Sequence, residues 1–348
     1  LGFVLSVIGV LSSGALIRFM HAEADTIGPG TQYFSILMYG FLFTAVSMAI
    51  TAALRGVGDT KSSLIMNLSA NLLNVLFNYL LIFGNWGCPQ LGVAGAAIAT
   101  VCGMMLSCAI GLIILLSKKR FIFLTFKQRF QFDWDILLRM LRVGIPSMFE
   151  QFAMRIGLLL FTRTVSSLGT SVFAAHQICA QIHNLSLMTG QAFGISATTL
   201  AGQELGKGNR GMAYVYAKDT QRIGSAVVTV IAIFMALFAR QLAGLFTTEA
   251  PVIDLCVIPL YIIALLQPFQ SSNLILIGAL KGAGDTRYVA LSVTICVLGI
   301  RPLLSHILVT LCGFGLIGAW WSLFCDQMLR FTLSYLRYRS TVWLRSRV

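Results

Sequence analysis

The sequence predicts an all-α, polytopic membrane protein: a two-lobed bundle of duplicated six-helix repeats, with about ten of the twelve helices present. Its residues are 57% apolar and only 11% charged, and its mean hydropathy is +0.84. Soluble domains carry about 25% charged residues, so this composition excludes an ordinary soluble fold. Apolar runs recur along the whole chain and a short motif occurs twice.

Ten apolar runs follow one another, each about 20 residues long, the length that crosses a bilayer as a helix. In order they cover residues 1–19, 33–54, 62–84, 92–117, 140–162, 172–199, 223–246, 253–279, 288–311 and 315–336. We expect an incomplete four-helix N-terminal lobe in residues 1–117 and a basic cytoplasmic connector in residues 118–139. A complete six-helix C-terminal lobe is expected in residues 140–337, followed by a cytoplasmic tail in residues 338–348.

The repeated motif supports this division. Residues Ala53–Thr60 are repeated as Ala279–Thr286, and Gly92–Ala96 resembles Gly315–Ala319 at nearly the same separation along the chain. Glycines one residue apart allow a tight turn at a helix end, and an Asp can cap the next helix. We therefore favour a structural role for Asp59 and Asp285 over ion binding. The second half has more residues ahead of its copy of the repeated motif than the first half has ahead of its own. We therefore expect about two further helices ahead of Leu1.

The net charge of +13 is distributed by side of the membrane rather than as a nucleic-acid surface. Nineteen of the 25 Lys and Arg residues fall on one side: Arg55, Lys61, Lys118, Lys119, Arg120, Lys127, Arg129, Arg139, Arg142, Lys207, Arg210, Lys218, Arg222, Lys281, Arg287, Arg337, Arg339, Arg345 and Arg347. The opposite loops contain the acids Glu23, Asp25, Glu249 and Asp254. By the positive-inside rule, the basic side and the C-terminus are cytoplasmic.

Motifs of catalysis and metal binding do not occur in this sequence. The eight cysteines stand singly, mostly in apolar runs, and no CxxC pair is present. His176 has no carboxylate at metal-ligand spacing. A nucleophile elbow, a P-loop and a cofactor fingerprint are also missing. We expect neither an enzyme nor a metal site.

Several motifs act together as a family signature. Besides the two Gly-Asp-Thr loops, the second half contains the runs Gly144–Glu150 and Gly202–Gly208, with Leu168-Gly169 and Ala174-Ala175 between them. In this order and spacing, the motifs resemble those of the multidrug and toxic compound extrusion family over nearly the whole chain. The resemblance implies twelve helices in two lobes around a central cavity, and by that comparison the chain starts at the third helix.

The resemblance also implies a function. It is that of a secondary antiporter, which exports amphipathic, often cationic drugs or metabolites in exchange for Na⁺ or H⁺ by alternating access. No cofactor is expected besides the coupling ion. Partners are small-molecule substrates and membrane lipid, not nucleic acid, and we expect a monomer in the bacterial cytoplasmic (inner) membrane.

Ionisable groups inside apolar runs are costly, so each is a candidate for function. The resemblance places a cation-linked glutamate at Glu150, which could instead pair with Arg155 or with a neighbouring helix for packing alone. Asp326 has Arg330 four residues later on the same helix face, so it could form an ion pair or belong to an ion relay. Arg301 could pair with Glu150 or Asp326, or repel protons from a cavity.

A stripe of amides follows the first repeat loop: Asn67, Asn71, Asn74 and Asn78. Their 4-3-4 spacing puts them on one helix face, which we expect to point toward protein or water. The resemblance implies an Asn followed four residues later by an Asp, together with a Thr of the sixth helix. Asn74 and Thr100 match this pattern, but Asn78 replaces the acid, so lining of a cavity is the expected role for Asn71, Asn74 and Asn78.

Another polar face is expected in the run 172–199, where Gln177, Gln181 and Asn184 share one side and could face a cavity of the second lobe. Sodium-coupled relatives implied by the resemblance carry an Asp in the tenth helix, but the stretch 268–273 contains no carboxylate. A site with two carboxylates would then need Asp326.

The main alternative function is a flippase for lipid-linked precursors, which shares the duplicated architecture. Such a protein must bind an anionic pyrophosphate, and several Lys or Arg residues would be expected in its cavity. Here the cations in the middle of apolar runs are Arg155, Arg301 and Arg330, of which two have nearby acids.

Overall fold

The computed structural model describes residues 2–19, 24–117, 122–124 and 133–345. The chain divides into two compact units, Leu1–Gln131 and Phe132–Val348. Helices make up most of the described ranges, and no strand occurs in them. Most of the predicted connector 118–139, the loop acid Glu23 and the last residues of the predicted tail lie outside the described residues.

The N-terminal unit contains four long helices. These are α1 (Gly2–Phe19), α2 (Ala24–Gly56), α3 (Thr60–Phe83) and α4 (Gly92–Leu116), with a short 3₁₀ turn at Asn85–Gly87. Helix α4 packs against both α2 and α3, and α2 packs against α1. The buried cluster of this unit is small and consists of Ile50, Leu54, Met66 and Leu115.

The C-terminal unit contains eight α-helices. These are α5 (Trp134–Ser166), α6 (Thr170–Gly206), α7 (Arg210–Leu237), α8 (Ala239–Gly244), α9 (Ala250–Gly282), α10 (Thr286–Thr294), α11 (Arg301–His306) and α12 (Gly315–Arg339). Two π-helical segments, Ile295–Ile300 and Ile307–Leu311, extend α10 and α11 into one continuous helix, Thr286–Leu311. Helix α9 packs against α6, α7 and α12, and it supplies many of the buried residues of the unit.

Two apolar clusters stabilise the C-terminal unit. One surrounds the buried ring of Trp320 between α6, α9 and α12. The other includes Trp343, whose indole nitrogen donates a hydrogen bond to the carbonyl of Tyr338 at 3.0 Å. The chain after α12 therefore folds back onto the unit through the 3₁₀ turn Val342–Arg345. Part of the predicted cytoplasmic tail belongs to the folded unit.

Each of the ten predicted runs corresponds to one long helix, in the same order, but several helices are longer and the short α8 is additional. Helix α5 begins at Trp134, because the side chain of Asp133 caps it by accepting from the backbone N–H groups of Asp135 and Ile136. Helix α2 includes Pro29, which the prediction placed in a loop. The run predicted over 223–246 is α7, which begins at Arg210 and ends at Leu237, followed by the separate α8.

The two copies of the repeated motif form the same turn. Gly58 and Gly284 both have positive φ, +87° and +82°. In each copy the backbone N–H of the following Asp donates to a carbonyl five residues earlier, at 2.8 Å for Asp59 and 3.0 Å for Asp285. The acids differ, however: Asp59 caps α3 by accepting from the N–H of Ser62 at 3.1 Å, as predicted. Asp285 instead accepts from Arg337 at 2.7 Å and provides no side-chain cap.

The second repeated segment is also duplicated in three dimensions. Gly92 and Gly315 share the same φ of +53° at the start of α4 and α12. Three residues later, Gly95 lies against the carbonyl of Leu81, and Gly318 lies against that of Leu308. The internal repeat therefore extends to the backbone contacts between consecutive helices.

Six helices of the described residues are long and apolar enough to cross a membrane: α2, α3, α4, α7, α9 and the continuous helix Thr286–Leu311. Helix α1 is apolar but shorter. The remaining three predicted spans are α5, α6 and α12, which are long helices with more polar residues.

Candidate functional site

Glu150 lies in the middle of α5 and is buried, with 6% of its surface exposed. Its Oε1 atom accepts a hydrogen bond from the Lys281 ammonium at 2.8 Å. Its Oε2 atom is buried and has no hydrogen-bond partner among the described residues. The sequence left three possible partners for Glu150: Arg155, Arg301 or another group on a neighbouring helix. The observed partner is Lys281, a last-turn residue of α9 that the charge pattern assigns only to the basic cytoplasmic side.

Asp326 forms the second buried ionic cluster of the unit. Its Oδ2 atom accepts from Arg301 at 2.5 and 3.0 Å and from Arg330 at 2.9 Å. All three side chains are nearly inaccessible to solvent. Both predicted pairings of Asp326 therefore form. Its Oδ1 atom, like Oε2 of Glu150, is buried without a hydrogen-bond partner among the described residues. Two guanidiniums already neutralise the single charge of this carboxylate, so this arrangement favours the ion-pair alternative over a cation site at Asp326.

A cluster of buried polar side chains lies between α6, α9 and α12, and it was not predicted from the sequence. Both ring nitrogens of His183 approach amide nitrogens of α9, those of Gln267 and Gln270, at 3.4 Å. The ring of Trp320 meets His183 edge to face at 5.9 Å. The sequence did contain a signal, since Gln267 and Gln270 are spaced by three residues within a predicted membrane helix. Two amides at that spacing share one helix face.

The predicted polar face of α6 exists, but it points away from this buried group. Gln177, Gln181 and Asn184 are all exposed, whereas His176 and His183 are buried. His176 packs between aromatic rings, 5.6 Å from Phe161 and 5.5 Å from Trp320. The amides of α6 thus remain candidates for contact with water or substrate, and the histidines belong to the interior.

The asparagine stripe of α3 borders a cavity of about 290 Å³ inside the N-terminal unit. Its lining comes from α2, α3 and α4: Thr44, Ser47, Met48, Asn67, Ala70, Asn71, Asn74, Thr100, Gly103, Met104 and Ser107. Amide, hydroxyl and thioether groups thus surround one space. Asn71, Asn74 and Thr100, three of the four predicted cavity residues of this unit, border it.

Asn78 is joined to this cavity indirectly. Its amide nitrogen donates to Asn74 Oδ1 at 3.0 Å, and Asn74 in turn donates to the hydroxyl of Thr100 at 3.2 Å. The Thr100 hydroxyl in turn donates a hydrogen bond to the carbonyl of Ala96 at 2.9 Å. Asn78, Asn74 and Thr100 therefore form one hydrogen-bonded series between α3 and α4, the three positions that the family resemblance connected.

Known proteins share this architecture and its sequence motifs. A family model described as MatE matches residues 1–80 and 146–307. The chain is 28% identical to a probable multidrug resistance protein NorM of Thermotoga maritima over 342 residues, which cover 98% of this chain and 73% of that protein. It is 27% identical to the uncharacterized transporter YisQ of Bacillus subtilis, over 99% of this chain and 76% of that protein.

Solved structures show the same fold. A crystal structure of MATE in the bent conformation superposes with a TM-score of 0.90 at 20% identity, covering 99% of this chain and 76% of that one. A MOP superfamily transporter from Pyrococcus furiosus matches with a TM-score of 0.90 at 21% identity, covering 99% and 77%. The family model covers well over half of the chain, and the duplicated helical fold agrees with it. The chain therefore belongs to the MatE family of multidrug efflux transporters.

Proposed function

We propose that this multi-pass membrane protein is a secondary active antiporter that exports amphipathic, often cationic compounds in exchange for Na⁺ or H⁺. The observation that supports this most strongly is Glu150, a buried carboxylate in the middle of a membrane helix with one oxygen unpartnered among the described residues. Buried intramembrane acids are expensive and commonly mark ion pathways. Glu150 is therefore the coupling residue, and it binds the cation that drives export.

The N-terminal unit supplies a space suited to substrate. Its cavity combines the amides of Asn71 and Asn74 with the flexible thioethers of Met48 and Met104. Methionine side chains adapt to ligands of different shape, while amides orient polar groups. This combination suits amphipathic compounds of varied structure. The exposed amides of α6, Gln177, Gln181 and Asn184, provide further substrate contacts.

The ionic clusters favour an antiporter over a flippase. A pyrophosphate needs guanidinium or ammonium groups that are available for binding. Arg301 and Arg330 instead donate to a single carboxylate, Asp326, inside the C-terminal unit. Two of the three cations that the sequence places in the middle of apolar runs are thus already paired. We further propose that the protein acts as a monomer, with its C-terminus in the cytoplasm.

Drug accumulation in bacterial cells that lack their own efflux systems tests this function. Cells that produce the protein should accumulate less of a fluorescent lipophilic cation, such as ethidium, than cells with an empty vector. Glu150→Gln keeps the size of the side chain and removes its charge, so it should restore accumulation to the vector level at equal protein abundance. Unchanged efflux by Glu150→Gln would remove this residue from the mechanism.

A further inference from the structure

We propose that Lys281 is the resident counter-cation of Glu150, which the coupling ion must displace in each transport cycle. This inference rests on the proposed coupling role of Glu150 and assigns a partner to it. The Lys281 ammonium lies 2.8 Å from Glu150 Oε1, and the pair connects α5 with the end of α9. Lys281 acts through Glu150, so it is a positioning residue rather than a ligand of the transported ion.

A buried carboxylate needs compensation at every stage of a transport cycle. Leaving Glu150 ionised and unpaired would carry a large desolvation penalty. An incoming cation and the Lys281 ammonium would together place two positive charges beside one carboxylate. The two cations therefore exclude each other, and binding of Na⁺ or H⁺ at Glu150 releases Lys281.

The chemistry of lysine suits such an exchange. Glu150 presents only one oxygen to Lys281, and Oε2 has no hydrogen-bond partner within the described ranges. An arginine could engage both oxygens with its planar fork, whereas an ammonium is a point charge on a flexible stem. Because Lys281 engages only one oxygen, its release breaks a single hydrogen bond to the carboxylate.

The surroundings of Lys281 can accommodate its ammonium group after release from Glu150. Its side chain is 28% exposed, against 8% for Glu150, so Lys281 is the more accessible member of the pair. It lies in the last turn of α9, where the partial negative charge of the helix end stabilises a cation. The released ammonium can therefore move toward water without leaving a favourable field.

Other charged groups near α5 do not replace Lys281 in this role. Among the helices that pack against α5, Arg301 and Arg330 share Asp326, and Arg287 of α10 is exposed. On α6, Glu204 is already paired with Lys207 at the C-terminal end of the helix. The titratable rings on the same helix are His176, which packs among aromatic rings, and His183, which contacts the amides of α9.

The test measures how much coupling ion is needed for half-maximal transport. The protein is reconstituted in liposomes, and ethidium transport is followed against Na⁺ concentration at fixed pH and against pH at fixed Na⁺. Lys281→Met removes the competing charge at similar length. The half-saturating concentration of the driving ion should fall by about tenfold or more, within the range of couplings between competing ligands. Lys281→Arg should raise it, because a guanidinium can hold both oxygens.

Lys207→Met is the matched control. Lys207 also pairs with a glutamate, Glu204, at 2.7 Å, but its side chain is 62% exposed. The carboxylate of Glu204 raises the pKa of Lys207 through this hydrogen bond. Removing this second lysine of a Lys–Glu pair should leave the half-saturating concentration unchanged, because Lys207 is exposed and its partner is not the coupling carboxylate.

The outcomes separate this inference from the proposed function. If Glu150→Gln abolishes transport while Lys281→Met leaves the half-saturating concentration unchanged, Glu150 couples transport without lysine exchange and the inference is overturned. If Glu150→Gln transports normally, the coupling role itself fails. If Lys281→Met does not fold, Lys281→Arg decides the matter: a higher half-saturating concentration supports the exchange, and an unchanged one contradicts it.

Discussion

Asp326 shows how a single residue holds two buried cations. Its Oδ2 atom receives donors from both Arg301 and Arg330, whose side chains are 6% and 5% exposed. Removing one partner of a buried ion pair leaves an uncompensated charge and typically costs about 3 to 5 kcal/mol. In this cluster, loss of the carboxylate would leave two guanidiniums unpaired. Asp326 therefore serves stability first.

We predict that Asp326→Asn lowers the stability of the folded protein by about 3 kcal/mol or more. Thermal unfolding of the detergent-solubilised protein, followed by the loss of monodisperse protein on heating, measures the change. Asp254→Asn is the control, because Asp254 pairs with Arg240 at a site where both side chains are more than half exposed. Such surface pairs contribute about 0 to 1 kcal/mol. Equal stability of the two variants would contradict a structural role for Asp326.

The sequence predicted some of these residue contacts and missed others for a physical reason. Spacing along one helix reports local neighbours, so the Asp326–Arg330 pair was visible from its four-residue separation. The partner of Glu150 lies 131 residues away on another helix. Periodicity contains no information on how α5 and α9 are rotated against each other, so Lys281 could not be identified as that partner.

At the scale of helices, the contact between α6 and α9 depends on glycine. A Cβ atom built on Gly278 would collide with the backbone carbonyl oxygen of Gly194, and one on Gly282 would collide with that of Thr198. The Thr198 hydroxyl donates to the Gly278 carbonyl at 2.9 Å across the same contact. Small residues let helix backbones approach closely in membranes. This approach places His183 of α6 beside the amides of α9.

Gly278→Ala is expected to push the two helices apart and to destabilise the protein by about 1 to 3 kcal/mol, the usual cost of overpacking. Thermal unfolding in detergent again measures the effect. Gly211 in α7 has no neighbouring atom within 4 Å of a Cβ position. Gly211→Ala should therefore be neutral or slightly stabilising, because alanine favours helix more than glycine does. If Gly278→Ala behaved like Gly211→Ala, the close approach would not matter for stability.

Helix existence and order were predictable, but helix ends were not. Hydropathy detects the part of a helix that is apolar, whereas caps and turns set where the helix ends. Asp133 starts α5 before its apolar run begins, and the turn after Gly206 starts α7 at Arg210. Gly208 repeats the positive φ of Gly58 and Gly284, with φ of +82°. The polar helix ends thus follow from local hydrogen bonds rather than from hydropathy.

At the scale of the whole molecule, the internal repeat makes a prediction about topology. Lys61 and Arg287 occupy matching positions after the two Gly-Asp-Thr turns, and both are exposed. If the repeats run in the same direction, both positions lie on the cytoplasmic face. Glu249 is exposed before α9, on the opposite side by the charge distribution.

Single cysteines report this topology when they are introduced into a protein whose native cysteines have been replaced. Lys61→Cys and Arg287→Cys should resist a membrane-impermeant maleimide in intact cells and react after the cytoplasmic membrane is opened. Glu249→Cys should react in intact cells once the outer barrier is permeable to the reagent. Opposite labelling of Lys61→Cys and Arg287→Cys would contradict a parallel repeat.

The architecture is predictable from the repeat and the composition together, because duplication leaves the same glycines at the same turns. The residues of the candidate site can be predicted from the sequence only in part. The cavity of the N-terminal unit needs residues from α2, α3 and α4 together, of which the amide stripe of α3 and Thr100 of α4 stand out in the sequence. The lining serines and methionines have no distinguishing pattern among the many polar and sulphur-containing residues of the chain.

Gradient-driven transport by the purified protein tests the central claim most directly. The protein and its Glu150→Gln variant are reconstituted in liposomes, and ethidium movement is recorded when a Na⁺ or proton gradient is imposed. We predict that one of the two gradients drives ethidium against its own gradient in the wild-type protein, that an ionophore for that ion stops it, and that Glu150→Gln shows none. Transport by the wild-type protein that ignores both gradients, or full transport by Glu150→Gln, would contradict a cation antiporter coupled through Glu150.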